Sequence, residues 1–205
     1  MKLSRRLQTI LSVVLLRPVI ADIGTDHALI PAALLERGMC EKVIATDLRE
    51  GPLEGARALI EERGLGGQVE LRQGDGLKVL QPGEADVIII TGMGGALMQR
   101  ILKEGEAVAK TAKRLILSPQ SELPEFRRFL QREGYLILLE RVVEEDGKFY
   151  FILPVVPCSP QPLTEEEIEF GVRIEENDYP DYKKYLEREL NIQKHIYTEL
   201  TERRM

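Results

Sequence analysis

The chain has 205 residues, 43% of them hydrophobic and 30% charged, with a formal net charge of −6. That balance excludes a disordered or fibrous chain and suits one sizeable core with a small appendage. The excess acid is concentrated after residue 158, so charge alone argues neither for nor against a polyanionic partner.

The first apolar run, "ILSVVLLRPVI", is broken by Arg17 and Pro18, lacks a small-residue cleavage site and is too short to span a bilayer. The expectation is a cytoplasmic protein with no membrane partner. Cys40 and Cys158 stand alone, with no CxxC and only two histidines, so neither a disulfide framework nor a metal site is expected.

Short β-rich runs then alternate with helical patterns. Strands are predicted at Val19–Ile23, Lys42–Asp47, Val69–Gln73, Ala85–Thr91, Arg114–Ser118, Tyr135–Val143 and Lys148–Leu153, with amphipathic helices between the first six. Unbroken runs such as "DVIIIT" suit strands covered on both faces, which makes the sheet mostly parallel with right-handed crossovers. Only "EEDGK" separates the last two strands, and Asp-Gly is a hairpin signal, so the final strand is antiparallel. A seven-stranded, Rossmann-like α/β sheet closed by one antiparallel hairpin is the layout of class I methyltransferases. The segment "LPVVPCSPQPLTEEE", with four prolines in fifteen residues, reads as a linker. It divides the chain into a domain at 1–158 and a small helical domain at 159–205.

In such sheets a ligand lies beyond the C-terminal strand ends. After the first strand, "DIGTDHA" offers Gly24, where backbone can approach a ligand, and Asp22, which can take an ammonium group or organise the loop. After the second, Asp47 and Leu48 stand where an acid takes two ribose hydroxyls. After the third, Asp75 and Gly76 of "QGDGL" can meet an adenine amino group. After the fourth, Thr91 and Gly92 of "TGMGG" extend the cofactor-binding set, while Met93 and Gly94 line the place where an acceptor would enter. Each has a plainer reading: turns at Gly24 and "GDG", a helix cap at Asp47, close helix packing at "GMGG". Four suitable features at four successive strand ends favour a methyl-donor site. The missing second and third glycines of G-x-G-x-x-G disfavour a nicotinamide enzyme.

The segments "KLSRRLQTI", "ADIGTDHALIP", "RQGDGLKVL", "GEADVIIITGMGGALM" and "EEDGKFY" together resemble the TrmK family, bacterial tRNA adenine-N1 methyltransferases that act at position 22. The resemblance covers about residues 1–155. It implies S-adenosyl-L-methionine as cofactor, tRNA as partner and substrate, a C-terminal helical domain of coiled-coil character that helps hold the tRNA, and an important acid at the motif position of Asp26. On this reading Asp26 is the catalytic carboxylate beside the exocyclic amine of the acceptor base, and His27 orients it or contacts the base. Candidate phosphate contacts are Lys2, Arg5 and Arg6, then Arg127 and Arg128, then Lys183, Lys184, Arg188 and Lys194; solvated helix faces explain most of them equally well.

From Tyr182 onward, Leu186, Leu190, Tyr197 and Leu200 form an apolar stripe that wants a partner. The expectation is antiparallel pairing with the acidic helix "TEEEIEFGVRIEEN", with dimerisation as the alternative. No obligate protein partner is evident, and a monomer or weak dimer is expected. Two other functional classes stay open at this point: methyl transfer to a small molecule or protein, and S-adenosylmethionine binding without catalysis.

Overall fold

A computed structural model of the chain describes residues 3–159 and 162–202. The chain opens with helix α1 (Arg5–Ser12), whose first turn is capped by the Ser4 hydroxyl accepting from the Leu7 N–H. Five strands follow, β1 (Val19–Ile23), β2 (Lys42–Asp47), β3 (Val69–Gln73), β4 (Val87–Met93) and β5 (Arg114–Pro119). They are joined by α2 (Leu29–Glu36), α3 (Glu50–Glu62), a 3-10 turn, and the pair α4 (Gly95–Glu104) and α5 (Glu106–Ala109). Then come α6 (Leu123–Arg132), strands β6 (Tyr135–Ile137), β7 (Arg141–Glu145) and β8 (Lys148–Pro157), and the tail helices α7 (Glu165–Phe170) and α8 (Tyr179–Glu202).

The sheet runs in the order β3, β2, β1, β4, β5, β8, β6, with β7 paired to the first half of β8. The five central strands are parallel, and β8 is antiparallel to β5, β6 and β7. Period-two alternation sorts the apolar runs between two cores. Ala21, Ile88, Ile90, Leu115 and Leu117 face the layer of α4 and α6, while Ile20, Val87, Ile89 and Ile116 face that of α1, α2 and α3.

The strand ends predicted for β1, β2 and β3 match those found; β4 runs two residues further, to Met93. The predicted single strand Tyr135–Val143 is two strands, which makes eight among the described residues and not seven. The break has a physical cause at Glu140. Its backbone turns away from β8 to bridge Ile174 of the tail, and its carboxylate is buried against Arg127.

The tail also departs from expectation. The acidic helix is short, stopping at Phe170, where Gly171 takes a φ of +119°, and it lies against α6. The long helix begins at Tyr179, and Tyr182 donates its hydroxyl to the Phe170 carbonyl at the end of α7 (2.8 Å). Its first turns seal the edge of β7. Asp178 accepts from the Val142 N–H and Asp181 from the Glu144 N–H, so two edge amides are satisfied by carboxylates. Asp178 also holds Arg141 at 2.6 Å, and Asp181 holds Arg5 at 2.8 Å. Tyr182 and Tyr185 pack on the core beside Phe149 and Phe151, whereas Leu190, Tyr197 and Leu200 stay exposed. No helix among the described residues is long and apolar enough to cross a membrane.

Candidate active site

A cavity of about 570 Å³ lies beyond the C-terminal ends of β1, β2 and β4. Asp22, Gly24, Asp26, Asp47, Thr91, Gly92, Met93 and Arg6 all line it, so eight of the sequence candidates converge there.

Asp22, near the end of β1, is only 4% exposed. Burial pushes its carboxyl up to about 6, the negative charge of Asp47 adds to the rise, and the Thr25 hydroxyl offsets part of it. The amides of Gly24 and Thr25 both donate to the Thr46 carbonyl at 2.8 Å, which pins the turn to the end of β2. Gly24 adopts a φ of +76°, and the Met93 methyl occupies the place where a side chain on Gly24 would begin. The glycine is required by its turn and by its neighbour Met93. His27 and Ala28 then follow with φ of 53° each, a left-handed pair that costs non-glycine residues roughly 1–3 kcal/mol apiece.

This strained turn projects Asp26 into the cavity, with its side chain 85% exposed. His27 Nε2 lies 3.3 Å from Asp26 Oδ1, and its ring rests on Gly55 of α3, so His27 supports Asp26 from outside the cavity lining. Asp47 serves two roles: it lines the cavity, and its Oδ1 accepts from the Arg49 N–H at 2.8 Å in the turn leading into α3. Thr91 and Gly92 stand at a β-bulge, where β4 slips against β5 between Thr91 and Met93. Gly92, at φ +79°, presents bare backbone to the Arg6 guanidinium.

Several candidates sit elsewhere. Asp75 accepts from both terminal nitrogens of Arg100 (3.0 and 3.1 Å) and from Lys78 (3.0 Å). These cations hold its carboxyl down at about 2, and Asp75 is not among the residues lining the cavity. Gly76 packs under Ile101, and Leu48 is exposed, with its carbonyl taken by Gln73. Gly94 is not among the residues lining the cavity: together with Gly95 it lets α4 approach the turn before α6, where Ser121 and Glu122 accept from the Gly95 and Ala96 amides. The packing reading of "GMGG" therefore holds for its last two glycines.

Most of the proposed phosphate contacts are engaged internally. Arg5 ties α1 to the Glu144 carbonyl and Asp181. Lys184 ties α8 to Glu144 (2.6 Å). Arg127 is buried on Glu140, and Arg128 pairs with Glu165 and Glu169. Lys183 lies 3.9 Å from Glu187 on the exposed side of α8, and Lys194 is exposed further along it. Lys2 lies outside the described residues. Sequence reasoning missed Gln120, Glu145 and Arg49 as cavity residues; Glu145 stands in "EEDGKFY", which was read for its hairpin and its family resemblance but not for a site residue.

Comparison with known proteins follows the same lines. A methyltransferase-domain family model matches residues 3–153. A tRNA (adenine(22)-N(1))-methyltransferase of Bacillus subtilis is 41% identical over 153 residues, 75% of this chain and 64% of that relative's length. The crystal structure of the B. subtilis m1A22 tRNA methyltransferase TrmK superposes with a TM-score of 0.84 at 32% identity, covering 98% of this chain and 88% of that one. The chain belongs to the TrmK family. Within TrmK, the Mycoplasma capricolum protein in complex with its cofactor product S-adenosyl-homocysteine gives a TM-score of 0.84 at 28% identity, over 96% of this chain and 87% of that one. A Streptococcus pneumoniae structure in complex with S-adenosyl-L-methionine gives 0.90 at 33%, over 95% and 91%. The class I methyltransferase layout expected from the hairpin is thus the TrmK layout, with the closing strand β8 inserted between β5 and β6.

Proposed function

We propose that this chain is an S-adenosyl-L-methionine-dependent methyltransferase that modifies N1 of an adenosine in tRNA, at position 22 as in its B. subtilis relative, and that it works in the cytoplasm. The observation that carries the reading is Asp22. A buried carboxylate next to a second acid, with no ion pair among the described residues, calls for a cation inside the cavity. The residues fit the proposed donor: Asp22 would take its ammonium group and Asp47 its ribose hydroxyls, and the 570 Å³ space is of the size small ligands and cofactors occupy. When bound, the donor supplies a methyl carbon on a positively charged sulfur, open to in-line attack.

Adenine N1 has a free lone pair at neutral pH, so the chain needs to place the base more than to deprotonate it. The methylated ring becomes a cation. Asp26, held at the cavity by the strained turn and by His27, would lie beside the exocyclic amine, stabilise that charge as it forms and accept a proton afterwards. Met93 and Gly92 form the neighbouring wall. N1 lies on the pairing edge of the base, so the nucleotide must leave its stack to enter, at a cost of a few kcal/mol. In this reading residues 1–158 carry the chemistry, and the segment from residue 159 is an accessory RNA-binding element.

The test is label transfer from methyl-labelled donor to tRNA transcripts, with and without an adenosine at position 22. Label that disappears with that adenosine supports the assignment. Label independent of it overturns the position, and absence of both label and calorimetric donor binding overturns the reading.

A further inference from the structure

A second cavity, of about 330 Å³, is lined by Gln120, Lys148, Phe149, Tyr150 and Arg188. Gln120 also lines the main cavity, so the two meet at the residue that follows β5. They share a further wall at Tyr150, because the Arg6 guanidinium, a main-cavity group, lies over the Tyr150 ring at 4.5 Å.

The cations here differ from the rest of that surface. Arg5, Arg141 and Lys184 are each held by a carboxylate of α8, of β7 or of the turn before α8. Lys148 has no ion pair or side-chain hydrogen bond among the described residues, although it opens β8 directly across the hairpin from Glu145. The Glu145 carboxylate accepts from the Arg6 backbone N–H at 3.2 Å. The Arg6 guanidinium has no carboxylate partner, and its Nε is buried with no acceptor among the described residues. Arg188 reaches in from α8 over Phe149 at 4.8 Å while also donating to Glu189 at 2.8 Å. A guanidinium with no carboxylate partner, resting on the Tyr150 ring, and an unpaired ammonium beside that ring are suited to an oxyanion carrying several acceptors.

Resting on the tRNA reading above, we propose that the second cavity seats the phosphodiester adjacent to the nucleotide being methylated, contacted by Lys148 from the hairpin and by Arg6 from the shared wall. The arrangement lets the target base turn toward Asp26 while its backbone is held outside, and it gives α8 a contact with the RNA through Arg188. The other cations along α8 are not needed for it.

The experiment compares Lys148→Glu, Lys148→Arg and Arg6→Gln with Lys103→Glu, which makes the same charge change on the exposed face of α4. tRNA affinity is titrated directly over a range of salt, with donor affinity measured by calorimetry in parallel. Loss of one charge-assisted phosphate contact should weaken tRNA binding by about tenfold in Lys148→Glu and reduce the salt slope by about one. Lys148→Arg should bind as the parent does, and donor affinity should not move in either Lys148 variant. Unchanged tRNA affinity and slope in Lys148→Glu, or an equal loss in Lys103→Glu, would overturn the proposal. Because binding is read without turnover, it is decided separately from the methyl-transfer assignment: a parent protein that labels tRNA beside an unaffected Lys148→Glu sinks this inference alone.

Discussion

Arg127 and Glu140 form a two-pronged ion pair in the interior, with Nε and Nη2 of the arginine each 2.8 Å from a carboxylate oxygen and both side chains at most 1% exposed. Arg127 Nη1 also donates to the Ile168 carbonyl of α7, and Glu140 accepts from the Val172 N–H. One pair thereby joins α6, the break between β6 and β7, and the tail. Replacing Arg127 by Met strands a buried carboxylate and should cost about 3–5 kcal/mol in urea unfolding. Pairing it with Glu140→Leu should recover part of that loss, and a double variant no more stable than the single one would contradict the buried-charge account.

Asp22 predicts a pH dependence with a definite sign. Its folded-state carboxyl titrates at about 6, above the ordinary value of 3.8, so the folded protein binds this proton more tightly than the unfolded chain does. Stability is therefore lost as pH rises from about 4 to about 6, by up to roughly 3 kcal/mol, since each tenfold difference in proton affinity is worth about 1.4 kcal/mol. Asp22→Asn should be more stable than the parent at pH 7.5 without donor, and equal to it near pH 3.5. The same variant should lose donor affinity by roughly 10- to 100-fold. In the parent, donor affinity should fall below pH 6, as calorimetry from pH 5 to 8 will read.

Asp26 has a different signature, because it is exposed in the cavity mouth and not buried beneath it. Asp26→Asn and Asp26→Ala should lower turnover by roughly 10²-fold while donor affinity stays at the parent value. Parental turnover in both would remove Asp26 from the chemistry; loss of donor binding would move it to the cofactor.

Gly24 carries two demands at once. Gly24→Ala must accept a left-handed backbone, costing roughly 1–2 kcal/mol, and must also displace the Met93 methyl. Adding Met93→Ala should relieve the collision and leave the backbone cost. Thermal unfolding of the two variants separates these contributions.

The parts of the fold legible in the sequence are those decided locally. β1 and β2 are largely apolar runs and β3 alternates apolar with polar residues, each between turn residues, and both ends of each can be read from their neighbours. The division at Glu140 could not be, because the residues that turn it inward, Arg127 and Ile174, lie 13 and 34 positions away in the chain. The site divides the same way. Asp22 and Asp47 are placed by the strand ends they occupy and Asp26 by the one it follows, whereas Asp75 is claimed by Arg100, 25 residues on in a helix whose orientation only the tertiary fold fixes. Arg127 looked like a solvated cation because nothing in "LPEFRRFLQR" says that the tail will cover it.

The link from Arg5 to Asp181 spans 176 residues and joins the first helix to the first turn of the last one. During synthesis, the helix bearing Arg6 therefore lacks this anchor until α8 has been made. The cavity-lining strands are written before α8, so the tie at the cavity mouth waits for the ribosome to deliver α8 and belongs with the slow, non-local contacts of folding.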